Sequence, residues 1–270
     1  MSLVQCDFYS ETLQLAVSMD VLLPRMTQAQ RDALGPGYRF PTLFLLHGMS
    51  ADHTGWQRFT SIERYTRFLN LAVVMPAVHR SFYTDQAEGY PYWTFVSEEV
   101  PAQARFYFPL ATERERTFVA GLSMGGYGAM KMGLRQPERF AAAASFSGAV
   151  DMGQRIREAL PERTAEMRRT FGDFEKFPGS ENDLLHIATE LAASGKPIPR
   201  LFLSCGTEDF LYQNNLGFRD HLRSLNVEVT YEEGPGAHDW TYWDAQIQRC
   251  LAWLGVQSLE EVTGIPSIPA

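Results

Sequence analysis

The feature that most constrains this chain is a set of short apolar runs that do not alternate with polar residues. They are Thr42–Leu46 (TLFLL), Ala72–Met75 (AVVM), Thr117–Ala120 (TFVA), Ala141–Phe146 and Leu201–Ser204 (LFLS). A strand with one wet face alternates apolar and polar side chains. A strand with no polar side is covered on both faces, as in a parallel sheet flanked by helices. Between these runs lie stretches with helical spacing: Trp56–Leu69, Trp93–Phe106, Met124–Arg135, Asn215–Leu225 and Trp240–Leu254. Strands and helices in alternation predict an α/β chain, with a mostly parallel twisted sheet and helices on both faces. Leu13–Leu23 does alternate, which predicts an antiparallel strand at or near one edge, and Val227–Tyr231 alternates as a strand nearer the other edge does. Pro24–Pro41 is polar and turn-rich and reads as a surface connection.

The 270 residues suit one such domain, because a sheet covered on both faces can serve a single core of this length. One stretch breaks the rhythm. Residues 151–198 hold two helix-like pieces, Arg155–Phe171 and Asn182–Ala193, joined by GDFEKFPGS. Placed between two core strands, this excursion reads either as a helical lid-like insertion over the strand ends or as an enlarged crossover. The final VTGIPSIPA reads as a loose or docked tail. A formal charge of −8 argues against a nucleic-acid partner, since phosphate binding needs a basic face. Three cysteines, Cys6, Cys205 and Cys250, are odd in number and lack metal-site spacing, so free thiols in a reducing compartment are expected. The opening residues carry no leader pattern and no apolar stretch is long enough to span a bilayer, so a cytoplasmic protein is expected.

The chemistry sits in Gly121-Leu122-Ser123-Met124-Gly125, a G-x-S-x-G sequence that follows the run TFVA and opens the helical MGGYGAMKMGL. That strand–turn–helix setting is the nucleophile elbow of the α/β-hydrolase fold. Its tight turn forces small neighbours two residues either side of the serine, and Gly121 and Gly125 supply them. A serine hydroxyl attacks well only when a base takes its proton, and in this fold the acid and then the histidine follow the serine in chain order. His186 and His221 lie within helical patterns. His238 lies in Gly-Pro-Gly-Ala-His-Asp-Trp, a turn after one strand and before a helix, and is the expected base. Asp209, just after LFLS, is the expected orienting acid, with Glu208 its rival. Asp239 adjoins the histidine too closely to fold back on its ring.

Donors for a tetrahedral oxyanion are expected from the backbone N–H of Met124 and of Met49, the latter in Leu46-His47-Gly48-Met49-Ser50. His47 precedes the serine, against the chain order of the fold, and reads as a loop brace. Tyr83, Thr84, Tyr92, Trp93, Phe210 and Trp240 follow strand ends or flank the expected catalytic residues. They are candidates for the substrate pocket, with packing as the alternative role.

The stretches LFLLHGMSADHTGWQR, VVMPAVHRSFYTD, EEVPAQARFYFP, ERTFVAGLSMGGYGAMKMGLRQPERF, SCGTEDFLYQNN and GPGAHDWTYWD together resemble the esterase D-like family, bacterial tributyrin esterases in particular. The likeness runs in order from about residue 40 to residue 250. It implies an α/β-hydrolase that cleaves short-chain acyl esters with no metal or organic cofactor. It also implies a small-molecule ester as partner and, more weakly, a homo-oligomer. Ser123, Asp209 and His238 fall on the family's triad motifs, and Met49 and Met124 on its oxyanion positions. S-formylglutathione hydrolases and feruloyl or acetylxylan esterases are related. Where the former carry a cysteine-containing HGLTC-like loop, this chain has HGMSADHTGW, which counts against the thioester role. Acyl transfer to an alcohol, or a binding module that lost its chemistry, are the other readings; the intact triad and elbow oppose the second.

Overall fold

A computed structural model describes residues 1–267. Its first third runs β1 (Ser2–Ser10), β2 (Leu15–Leu23), α1 (Gln28–Leu34), β3 (Thr42–Leu46), α2 (Gly55–Phe59), α3 (Ile62–Thr66) and β4 (Ala72–Pro76). Next come α4 (Tyr92–Thr94), a π turn (Phe95–Glu99), α5 (Val100–Tyr107), β5 (Thr117–Leu122), α6 (Met124–Arg135) and β6 (Ala142–Phe146). The excursion contributes α7 (Met152–Arg157), α8 (Pro161–Phe171) and α9 (Leu184–Ala193). The chain closes with β7 (Arg200–Gly206), α10 (Tyr212–Ser224), β8 (Val229–Gly234), α11 (Trp240–Leu254) and α12 (Leu259–Thr263).

The strands form one sheet in the order β1-β2-β4-β3-β5-β6-β7-β8. β1–β2 and β2–β4 are antiparallel, and every other pair is parallel. The non-alternating runs have the expected cause: successive residues go to opposite faces, and both faces are covered. Phe44 and Leu46 join Tyr127 of α6 and Phe218 of α10 in one apolar layer. Leu43 and Leu45 join Trp56 of α2 and Ile247 of α11 in the other. Each buried Leu or Phe contributes about 1.5–3 kcal/mol relative to an exposed one, so neither layer can be removed without unfolding the other.

Several expectations need correction. Strand β1 precedes the first expected strand and takes the edge, so that Leu15–Leu23 is the near-edge antiparallel strand, second in the sheet. Pro24–Pro41 is not only a connection, for it contains α1, capped by Thr27 and Gln30 in a reciprocal capping box. Trp56–Leu69 is two short helices, because the Thr60 hydroxyl accepts the Ile62 N–H and Asp244 accepts that of Ser61. Arg155–Phe171 is likewise two, since Pro161 starts α8 afresh at a position where a proline cannot continue α7.

The excursion divides between the two roles considered for it. Met152 and Arg155 of α7 and Arg163 and Met167 of α8 border the cavity at Ser123, over the C-terminal strand ends. Helix α9 instead buries Leu184, Ile187 and Leu191 in the same layer as α6 and α10, as a crossover helix does. Helix α8 is staked down at its far end. Glu166 is held by both Nε and Nη2 of Arg80, and the Ala87 and Glu88 amides donate to the Thr170 and Arg169 carbonyls. Of the C-terminal tail, residues 268–270 lie outside the described residues. No described helix is long and apolar enough to cross a membrane.

Candidate active site

Parallel register sets the site. Gly121 of β5 is level with Leu46 of β3 and with Ser145 of β6, Phe146 of β6 with Ser204 of β7, and Gly206 of β7 with Gly234 of β8. The loops that leave these strands therefore emerge along one rim, where an open α/β sheet places its ligands. Ser123, Asp209, His238 and the His47–Met49 loop all occupy that rim.

Ser123 stands between β5 and α6 with φ 53° and ψ −117°, a strained conformation for a residue with a Cβ. The strain is held by three backbone bonds. Its N–H donates to Phe146 O at 2.9 Å, and its carbonyl accepts from Tyr127 and Ala149, each at 3.1 Å. The flanking glycines let the turn approach its neighbours. A Cβ at Gly121 would strike the Gly125 carbonyl, and one at Gly125 would lie 2.7 Å from the His47 carbonyl oxygen and nearer still to that of Leu46. Helix α6 thus starts at the serine, with the positive end of its dipole there.

His238 Nε2 lies 2.9 Å from Ser123 Oγ. On its other side, Nδ1 lies 2.9 Å from Asp209 Oδ2 and 3.1 Å from Oδ1. Two loops are stitched together to achieve this. The Thr207 amide donates to Gly234 O and the Glu208 amide to Gly236 O, while the Glu208 carboxylate takes the Gly236 N–H. Glu208 is therefore a loop tie and Asp209 is the carboxylate that reaches the ring. Asp239 caps α11 through the Tyr242 N–H. The Asp209 side chain has no exposed surface. Burial alone would push its carboxyl up, but the hydrogen bond and charge of His238 and the Leu211 N–H outweigh burial and hold it below the usual range. A hydroxyl bonded to an imidazole that a buried carboxylate orients can lose its proton as it attacks a carbonyl.

Met49 and Met124 border the same cavity as Ser123, and among the described residues neither backbone N–H has a protein acceptor. The loop that carries Met49 is braced by three contacts. His47 Nδ1 donates to Gly48 O at 2.8 Å, His47 Nε2 accepts the Val78 N–H at 3.1 Å, and Tyr83 OH donates to His47 O at 2.9 Å. Burial pushes the His47 imidazole down to about 4, so it is neutral in this role. His221 bridges Thr189 and the Leu185 carbonyl between α9 and α10, remote from the serine.

The cavity at Ser123 has a volume of about 50 Å³. Of the proposed pocket residues, Phe210 borders it, with its ring centroid 4.5 Å from that of His238. The others do not. Tyr83 is wholly buried beneath the His47 loop, where a Cβ on Gly128 would strike its ring. Trp93 is buried against the side chains of Lys131 and Arg135. Trp240 packs on Trp56, Phe59 and Trp243. Thr84 accepts a hydrogen bond from the buried Lys131, and Tyr92 packs on Phe95. Aromatic side chains near strand ends were drawn into the helix layers because burying their large surface there outweighs lining a small cavity. The cavity's unforeseen walls include Phe82, Ala149 and Leu211, with Met152 and Arg155 of α7 and Arg163 and Met167 of α8. The i, i+3 pair Met152/Arg155 and the i, i+4 pair Arg163/Met167 were the available signal, since each shares a helix face.

The family model Esterase, described as "Putative esterase", matches residues 10–254. An acetyl esterase of Caldicellulosiruptor saccharolyticus is 32% identical over 263 residues, covering 94% of this chain and 98% of that one. Among solved structures, the substrate-bound fluorophosphonate-binding serine hydrolase FphF of Staphylococcus aureus superposes with a TM-score of 0.87. It is 35% identical, and the match covers 95% of this chain and 99% of that one. An S-formylglutathione hydrolase of Staphylococcus aureus follows at 0.84 and 36%, covering 94% and 98%. With that match across nearly the whole chain, this protein belongs to the Esterase family and is a carboxylic ester hydrolase of the α/β-hydrolase fold.

Proposed function

We propose that this chain is a serine carboxylesterase of small acyl groups, with Ser123 as nucleophile, His238 as general base and acid, and Asp209 orienting it. The observation that carries the reading is the continuous bond line from Asp209 through His238 to Ser123 Oγ, 2.9 Å at each step. Ser123 Oγ attacks the ester carbonyl while His238 Nε2 takes its proton. The oxyanion formed is held by the Met49 and Met124 amides, each worth about 3 kcal/mol to the transition state. His238 then passes the proton to the departing alcohol, leaving an acyl group on Ser123. Water, deprotonated by the same imidazole, attacks that acyl group, and the free acid leaves with Ser123 restored. The cavity at Ser123 is small and lined mostly by apolar side chains, which supports a short acyl chain.

Within the family, the esterase D-like, tributyrin-cleaving branch is the placement favoured by the GLSMGGYGA and HGM motifs. Helices α7 and α8 act in this reading as a fixed wall rather than a moving flap. Three unpaired cysteines, two of them buried, support a reducing compartment. Ser123→Ala should abolish turnover of p-nitrophenyl acetate and labelling by a fluorophosphonate probe; a variant that retains either discards the nucleophile. Thioester hydrolysis on the same residues is the second reading, favoured by the likeness to the formylglutathione hydrolase. A series of oxygen esters from acetate to octanoate, run beside the matching thioesters, separates the two.

A further inference from the structure

We propose that Arg155 and Arg163 select esters whose leaving group carries a negative charge, so that this chain prefers anionic over neutral alcohols as products. The proposal rests on the esterase reading above. Both arginines border the cavity at Ser123, one from α7 and one from α8. Neither belongs to an ion pair among the described residues. Of the carboxylates near them in sequence or at the reaction centre, four are engaged elsewhere, and among the described residues Glu162, next to Arg163, forms no ion pair with either arginine. Asp151 accepts the Gln154 N–H, Glu158 takes the Gln154 side-chain amide, Glu166 is held by Arg80, and Asp209 by His238. A chain of net charge −8 has therefore kept two uncommitted guanidinium groups at its reaction centre.

The side of the scissile bond follows from the rest of the lining. Met49, Phe82, Met124, Met152, Met167 and Leu211 are apolar, and an anion pressed among them would lose its hydration without a partner. The acyl half of the substrate is therefore uncharged. Arg155, in contrast, has its guanidinium carbon 5.5 Å from the Phe210 ring centroid, and that ring lies against His238. His238 is the group that hands its proton to the leaving alcohol. Arg155 thus flanks the path by which the alcohol departs, and a carboxylate on that alcohol can take the charge-assisted hydrogen bonds the two forks offer.

The test compares 4-acetoxybenzoate with its methyl ester, which share the acetyl group and differ by one negative charge. The readout is the ratio of their kcat/KM values, anionic over neutral, in the parent and in the double variant Arg155→Gln/Arg163→Gln. The ratio should fall at least about tenfold in the double variant. It should also fall in the parent as salt rises from about 0.05 to about 0.5 M, because exposed charges are screened. Arg163→Gln alone, at an exposed position, should move the ratio the same way by less and guards against a folding defect. A ratio within about twofold of the parent's in all variants overturns the proposal. Ser123→Ala separates the two levels. If that variant still cleaves the methyl ester, the esterase reading has failed; if it does not and the ratio is unmoved, only the arginine assignment has.

Discussion

Replacing Gly125 with alanine tests how closely the elbow and the oxyanion loop are built against each other. The added Cβ would lie 2.7 Å from the His47 carbonyl oxygen, against 3.4 Å for an ordinary contact, and closer still to Leu46 O. The His47 carbonyl must therefore retreat by about 0.7 Å. It cannot do so freely, because it accepts from the buried Tyr83 hydroxyl and its own ring is tied to Gly48 and Val78. Met49, two residues on, moves with it. Overpacking of this kind costs about 1–3 kcal/mol of stability, or roughly 2–5 °C in Tm for a chain of this size. A displacement approaching 1 Å in a catalytic donor costs up to about 100-fold in rate. We expect Gly125→Ala to lower kcat for p-nitrophenyl acetate by about 10- to 100-fold, with KM changed far less, since the oxyanion exists only after attack. Stopped-flow or steady-state kinetics beside a thermal melt reads both quantities. A variant with parental kcat and parental Tm would refute the account, because it would mean the two loops are not in register through these atoms.

Two further perturbations follow from the site. Asp209→Asn keeps the shape of the side chain but presents the imidazole with the wrong tautomer, and kcat should fall by about 10⁴-fold; a loss under tenfold would show that the carboxylate does not orient the base. His47 is held near 4 in the folded chain against 6.5 when unfolded, so the unfolded state binds more protons between those values and stability falls as pH drops from 6.5 to 4. The contribution is at most about 3 kcal/mol, and His47→Gln, which cannot titrate, should flatten that part of the stability–pH curve measured by urea denaturation. An unchanged slope would place the acid sensitivity elsewhere.

What could be read from the residues divides along a physical line. Helices α6 and α11 were legible to the residue, because Ser123 and Asp239 mark their starts and their apolar faces are strong. The parallel strands were legible because full burial removes the polar alternation. Strand β1 was not, since an edge strand with mixed exposure owes its place to β2 and carries no tight-turn dipeptide in its hairpin. The Asp209–His238–Ser123 bond line was legible as three turns after three strands, yet its convergence depends on the ties between residues 206–208 and 234–236, which no local pattern encodes. The cavity walls were hardest. Tyr83 and Trp93 were plausible by position and went to the core, and Trp240 packs partly buried on it, while methionines and arginines from α7 and α8 form part of the walls instead.

The anchoring of α8 by Arg80 and by the amides of Ala87 and Glu88 has a consequence for how substrate choice can drift. Ser123, Asp209 and His238 sit at the rim of the sheet, whereas part of the cavity wall comes from α7 and α8, the latter fastened at its far end to the loop of residues 80–88. Exchanging side chains on those helices re-tailors the aperture while the rate-making geometry stays untouched. A lineage built on this plan can change its diet by a few substitutions between residues 152 and 167 without relearning its chemistry.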